Sequence, residues 1–289
     1  MHLIGSVIRP PSEADSILLQ VTLGCSHNAC AFCGAYAGKP FRVVPEAGVD
    51  EALAFAREHG PPRRRVFLCD GDAMVLSTDR LTRLLTRIRE RLPLVTRISA
   101  YANARSLRPK SVEELAALRG LGLHTLYLGL ETGDQETLTA MNKADTVADI
   151  VAAGQKVRRA GLRLSVTVLL GLAGTARSRI HAERTGQALS EMDPHQAAAL
   201  TLMLVPGTPL HADFAAGRFQ LPDARGMLAE LSALLTHTHL SRGLFLANHA
   251  SNFLPLSLRL PRDKGQGLAL LKKALAGRVP LRPDHVRAL

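Results

Sequence analysis

Short apolar runs alternate with helical patterns along almost the whole chain, and this rhythm constrains the fold more than any other feature. Strand-like runs are Ile17–Thr22, Val66–Cys69, Val95–Tyr101, His124–Leu130, Leu162–Leu170, Ala197–Val205 and Leu244–Asn248. Helical patterns fall between them: 46–59, 79–92, 111–119, 135–141, 146–160, 179–192, 223–239 and 263–275. Ser111 and Glu114 form a capping box, and Gly161 stops the helix before it. Strand–helix alternation of this kind means a parallel sheet with right-handed crossovers. Polar residues gather after the strands: Asp70-Gly71-Asp72, Asn103, Glu131-Thr132 and Gly171 to Gly174. In a barrel those ends converge on one face, whereas a doubly wound sheet concentrates its site at one switch point. The pattern therefore predicts an α/β fold: a partial, open parallel β/α barrel of about six strands with a C-terminal β/α extension. We expect one domain over 1–289, with its core at about 15–210 and the extension at about 211–289.

Composition supports a folded, non-membrane chain. Of its 289 residues, 46% are hydrophobic and 21% charged, unlike a disordered sequence. The start lacks the basic-then-apolar pattern of a signal peptide. The most apolar run, 164–173, is too short to span a bilayer. A cytoplasmic location is expected. The net charge is +11, and 57–110 carries 13 basic against 5 acidic residues, a net +8. RNA or an anionic substrate is one reading, and a solvated arginine-rich surface is the plainer one. The helix at 79–92 favours the plainer reading. Leu81, Leu84, Leu85, Ile88 and Leu92 make one face, and Arg83, Arg87 and Arg91 make another.

Three of four cysteines fall within nine residues, Cys25-Ser-His-Asn-Ala-Cys30-Ala-Phe-Cys33; the fourth is Cys69. Without an export signal such a cluster points to metal, not to disulfides. Thiolates suit iron–sulfur clusters and zinc. Three cysteines can hold three irons of a cubane and leave the fourth iron open. Two other readings stay in view. The C-x4-C-x2-C spacing with Cys69 as fourth ligand fits an iron–sulfur electron carrier. Cys3His with His27 fits a structural zinc site, as in a basic RNA-binding or RNA-modifying protein.

The segment from Leu19 through Cys25, Cys30, Phe32 and Cys33 to Arg42 resembles the cluster loop of the radical S-adenosylmethionine (SAM) superfamily. That superfamily commonly spaces these cysteines C-x3-C-x2-C with an aromatic before the last; one extra residue separates the first two here. Tyr127-Leu-Gly-Leu-Glu131-Thr-Gly is similar to a segment of proteins resembling oxygen-independent coproporphyrinogen oxidase and the elongator-like members. Met141-Asn-Lys143 and Ser165 to Gly174 continue the likeness. The resemblance implies an oxidoreductase or transferase. A [4Fe–4S] cluster on Cys25, Cys30 and Cys33 would cleave SAM reductively to a 5′-deoxyadenosyl radical, which abstracts hydrogen from an unidentified substrate. It also implies a reductant such as flavodoxin or ferredoxin, with a small-molecule substrate ahead of RNA. By position it implies SAM contacts from Phe32, Asp70, Gly71, Asp72, Asn103, Glu131, Ser165, Thr167, Gly171 and Val205. Each has a plain alternative: Asp70 and Asp72 as turn caps, Asn103 in an Asx turn, Ser165 and Thr167 as strand hydroxyls, and Gly171 as a turn glycine. Candidates for substrate or catalysis are Tyr36 (with Lys39 and Arg42), Cys69, His249 and Asn252. A loop network is the alternative for the last two, and a core role the alternative for Cys69.

Overall fold

The computed structural model describes residues 3–5 and 7–287. Its elements in chain order are β1 (Ile17–Gln20), β2 (Thr22–Leu23), β3 (Arg42–Val43), α1 (Glu46–His59), β4 (Arg65–Cys69), α2 (Thr78–Arg91), β5 (Arg97–Ala102), α3 (Ala104–Leu107), α4 (Val112–Gly120) and β6 (Leu123–Glu131). There follow α5 (Gln135–Ala140), α6 (Val147–Arg159), β7 (Arg163–Leu170), α7 (Gly174–Met192), β8 (Gln196–Thr201), α8 (Pro209–Ala215), α9 (Ala224–His237), β9 (Gly243–Leu246), β10 (Ser257–Leu260) and α10 (Lys264–Leu275).

Eight strands form one sheet in the order β1-β4-β5-β6-β7-β8-β9-β10, while β2 and β3 pair separately. The order follows the chain, as successive right-handed crossovers require. The pairs β1–β4, β4–β5, β5–β6, β7–β8 and β8–β9 are parallel, and β9–β10 is antiparallel. With different strands at its two edges the sheet is open. The expected six barrel strands are present. The extension adds β9 and the unforeseen β10, a short strand whose exposed Ser257 and Arg259 alternate with buried Leu258 and Leu260.

Two compact units make up the chain. Unit 1 comprises 1–28, 35–128 and 156–164. Its strands are buried runs, with Leu19, Val66, Phe67, Leu68, Ile98 and Ala100 almost wholly covered. Helix α2 starts at the Ser77 cap, whose hydroxyl accepts from Arg80 N–H. It buries Leu81, Leu84, Leu85 and Ile88, each contributing roughly 2 kcal/mol. Its outer arginines face the acids of α1. Arg87 lies 3.1 Å from Asp50 and 3.4 Å from Glu46, and Arg83 lies 3.4 Å from Glu46. Part of the basic run is thus spent on an inter-helix charge network. The Ser111–Glu114 capping box at α4 is formed reciprocally, at 3.1 and 2.7 Å.

Unit 2 comprises 29–34, 129–155 and 165–289. Its α7 begins at Gly174, five residues before the apolar pattern suggests, because Gly174 takes a left-handed φ of 62° and turns the chain straight into the helix. Strand β8 ends at Thr201, four residues early; beyond it Val205 O accepts from Thr208 and closes a turn. Among the described residues, no helix is long and apolar enough to cross a membrane.

Candidate functional site

The cysteine loop leaves unit 1 from β2 and returns to β3. Its base is closed by the pairs Thr22↔Val43 and Leu23↔Arg42. Inside, Asn28 takes a left-handed φ of 48°, and its amide donates to Tyr36 O at 3.1 Å. Residues 29–34 belong to unit 2 and are held there. Ala31 N–H donates to Met141 O at 2.9 Å, Leu210 N–H to Ala31 O at 2.9 Å, and Asn142 Nδ2 to Ala29 O at 2.8 Å. Phe32 packs into an apolar cluster with Met141, Leu172, Leu202 and Leu210. Gly34 abuts Val205 so closely that a Cβ there would lie 2.6 Å from Val205 Cγ1. Cys25 and Cys30 are partly buried and Cys33 is exposed. Among the described residues, no three His, Cys, Asp or Glu side chains gather closely enough to hold one metal ion.

In unit 1 the C-terminal ends of β4 and β5 carry the remaining polar groups. Asp70 is buried. Its Oδ2 accepts from Lys39 Nζ at 2.8 Å, and from Gln20 Nε2 and Gly24 N–H at 3.2 Å each. Lys39, a substrate candidate from its sequence position, thus spends its charge on Asp70. Asp72 Oδ2 accepts from Ser26 Oγ at 2.6 Å. Burial pushes the Asp72 carboxyl above its ordinary range, with the Ser26 hydroxyl partly offsetting it. Three buried atoms here make no well-formed hydrogen bond, Asp70 Oδ1, Asp72 Oδ1 and Asn103 Nδ2, though Ser106 and Asn103 stand close enough to the Asp72 carboxyl to favour its charge. Gly71 lies between the two aspartates. A Cβ there would stand 2.7 Å from the Tyr36 ring and 3.1 Å from Cys25 Cβ. The glycine therefore lets the first cysteine and Tyr36 close onto the segment. Tyr36 is buried, and its hydroxyl is pushed well up by burial and then by the Asp70 charge. Cys69 is fully buried beside Phe67 and Tyr127, with its thiol donating to Phe67 O at 3.5 Å. Burial, then Asp70, pushes this thiol well up. That is the character of a thiol packed in the core.

In unit 2 the polar groups at the ends of β6 and β7 are paired. Glu131 stands at φ 62° and accepts from Lys143 Nζ at 2.8 Å. A Cβ at Gly129 would lie 2.0 Å from Glu131 Oε1 and 3.0 Å from Lys143 Nζ. The glycine two residues before the glutamate thus makes room for the pair. Ser165 and Thr167 share one face of β7, the first buried and the second half-buried. Gly171, at φ 83°, donates its N–H to Glu230 Oε1 at 2.5 Å. His249 and Asn252 are drawn into a local network. Asn252 receives a hydrogen bond from Thr201 Oγ1 at 2.9 Å and donates to Ala199 O at 2.9 Å. His249 Nδ1 lies 2.9 Å from Ser251 Oγ, and burial lowers the imidazole's proton affinity. Asn252 thus fastens the extension to β8 with both ends of its amide. Lys143 and Glu230 carried no assigned role in the sequence. A signal existed for Lys143 in the Met141-Asn-Lys143 likeness, but none for Glu230, which lies 59 residues from Gly171.

A family model described as the radical SAM superfamily matches residues 19–182. The heme chaperone HemW of Bacillus subtilis is 23% identical over 168 residues, which cover 58% of this chain and 44% of HemW. Coproporphyrinogen III oxidase (HemN) from Escherichia coli, described as a radical SAM enzyme, superposes with a TM-score of 0.54 at 19% identity, covering 76% of this chain and 52% of that one. The radical SAM methyltransferase TsrM from Kitasatospora setae, solved with cobalamin and a [4Fe–4S] cluster, superposes with a TM-score of 0.54 at 19% identity. That match covers 71% of this chain and 41% of TsrM. The chain thus spans less than half the length of the curated relative it matches.

Proposed function

The chain belongs to the radical SAM superfamily of enzymes, and we propose that it binds a [4Fe–4S] cluster on Cys25, Cys30 and Cys33 and a SAM molecule at the adjoining strand ends. When bound, that pair supplies one-electron cleavage of a sulfonium carbon–sulfur bond and removal of a hydrogen atom from a substrate. One observation carries the reading. Cys25 packs onto Gly71, flanked by two buried aspartates that each keep one oxygen without a well-formed hydrogen bond. Buried polar atoms are almost always bonded, and an orphan costs about 1–3 kcal/mol. Orphaned acceptors beside a soft-ligand thiol fit a ligand that carries an ammonium group.

The chain's own residues then take these parts. Asp72, Asp70 and the backbone of Gly71 receive the ammonium, which offsets the cost of the buried charge. Asn103 Nδ2 donates to an acceptor of the same ligand. Glu131 has Oε1 engaged by Lys143, so Oε2 serves the ribose hydroxyls. Ser165 and Thr167 share one face of β7 and offer hydroxyls, and Gly171 and Val205 offer backbone. Phe32 holds the loop tip in its apolar seat. Flavodoxin or ferredoxin supplies the electron. Burial makes Cys69 a wall of the site, not a fourth ligand.

The test is anaerobic reconstitution with iron and sulfide, reduction, addition of SAM, and measurement of 5′-deoxyadenosine. The expected result is 5′-deoxyadenosine from the native chain and from Cys69→Ala, and none from Cys30→Ala. A cluster that forms but ignores SAM, or one lost with Cys69→Ala, would turn the assignment toward electron transfer.

A further inference from the structure

Unit 2 contains a buried polar chain that the cofactor assignment does not use. Glu230 on α9 is 2% exposed. Its Oε1 accepts from the Gly171 N–H at 2.5 Å and lies 3.3 Å from His181 Nε2; its Oε2 accepts from the Ser178 hydroxyl. His181, on α7, is equally buried and lies 2.7 Å through Nδ1 from Thr132 Oγ1. Thr132 Oγ1 in turn accepts from Asp134 N–H at 2.9 Å. Beside it Gly133 N–H donates to Thr185 Oγ1 at 2.8 Å, and Thr185 donates to His181 O at 2.5 Å.

Glu230 Oε1 can only accept as a carboxylate, so a neutral imidazole 3.3 Å away faces it with a proton on Nε2, and Nδ1 then accepts from the Thr132 hydroxyl, whose oxygen also accepts from Asp134 N–H. Glu230 also accepts from Gly171 and Ser178. One end of this chain is the turn after β6, next to Glu131. The other end is the turn after β7, at Gly171. Helix α7 sits directly on the first turn, since a Cβ at Gly133 would lie 2.3 Å from Arg184 O. Nothing in hydrophobic packing asks for a carboxylate here. Apolar residues of similar shape often serve as well or better, so a retained buried network points to specified geometry.

We propose that Glu230, His181 and Thr132 are positioning residues that hold the β6 and β7 turns in one arrangement, and so set the backbone at Glu131 and Gly171 for the bound SAM. This rests on the SAM reading above. The relay itself can be tested without any cofactor.

Hydrogen exchange of the unloaded protein is compared among native, Glu230→Gln, Thr132→Val and Thr238→Val. Thr238 is fully buried and its hydroxyl donates to Leu234 O at 2.7 Å, so it serves as a matched lost hydroxyl outside the chain. Glu230→Gln is expected to speed exchange at 133–134 about tenfold, and Thr132→Val to do the same at Gly171, each at the end it does not touch. Thr238→Val leaves both ends protected. Loosening confined to the mutated end overturns the relay. In a second arm SAM is titrated against the EPR signal of the cluster-loaded proteins. Both relay variants are expected to bind SAM about tenfold more weakly, since small misplacements of positioning groups carry large costs, with iron content and thermal midpoint as in Thr238→Val. Unchanged SAM affinity, with transmission present, overturns the positioning role alone. A native protein that does not bind SAM overturns the cofactor reading and the positioning role together, while the exchange arm still decides the relay.

Discussion

The ends of β4 and β5 and the ends of β6 and β7 solve the same problem in opposite ways. Both bury carboxylates at the C-terminal edge of a parallel sheet. At the first pair Asp70 and Asp72 each keep one oxygen unbonded, and Asn103 keeps an unbonded amide nitrogen. At the second pair Glu131 is ion-paired with Lys143, and Glu230 accepts from Gly171 and Ser178 and lies 3.3 Å from His181 Nε2. A fold carries unmet bonds only at a cost. On the proposed reading a ligand completes the first region, while the second is already paired within the fold. Preorganisation of this sort lowers the ordering cost of binding.

The contrast can be broken most sharply at Lys143. Lys143→Met strands Glu131 in a nearly buried site, and breaking such a pair costs about 3–5 kcal/mol. Chemical denaturation should show that loss, and a change under 1 kcal/mol would mean that the second region does not depend on its own pairing.

Asp134 comes next. Its fully buried carboxylate binds Arg177 at 2.9 and 3.0 Å and Arg184 at 2.7 Å, and caps α5 through Thr137. Burial pushes its pKa up, but the Arg177 bond and its companions outweigh that and hold it well below the ordinary 3.8. A depressed carboxyl contributes stability above the unfolded pKa and loses it as pH falls toward the folded one. Asp134→Asn should thus cost about 2 kcal/mol at neutral pH. The difference from the native chain should stay constant down to about pH 4 and shrink below it. A difference that persists unchanged into strong acid would deny the carboxylate its part.

At Asp72 the sign reverses. The raised pKa means that the fold disfavours the charge, a penalty present above the folded pKa and gone below the unfolded one. Asp72→Asn should leave the unloaded protein as stable as before, or raise its thermal midpoint slightly, while weakening SAM binding. Matching losses in stability and in binding would make Asp72 an ordinary structural residue and erase the contrast.

The smallest effect is expected far from both regions. Arg83→Ala removes an exposed pair with Glu46, worth within about 0.5 kcal/mol. Salt-dependent RNA binding lost in that variant would show the basic run to be more than a solvated face.

Much of this was legible in the chain. Periodicity located α1 at 46–59 to the residue, because a charged outer face and a buried Val49–Leu53–Ala56 face repeat at helical spacing. Alternation located β6 and β7, and the cysteine spacing marked the long loop between β2 and β3. The short elements α3, α8, β3 and β10 were not legible. Two to seven residues are too few for a period to show, and these elements are set by caps and pairing with distant segments.

The residue types at the site, their order and the strand ends they follow were determined by sequence, because each belongs to a local strand–loop–helix unit. Partnership was decided by tertiary structure. That Lys39 closes on Asp70, that Gly129 makes room for Glu131 and Lys143, and that His181 joins Thr132 to Glu230 across 49 residues on each side all depend on contacts between elements. Burial makes those contacts decisive. Outside water a polar group must find its partner within the fold or wait for one from outside, and which of the two holds is not written in any local stretch of the chain.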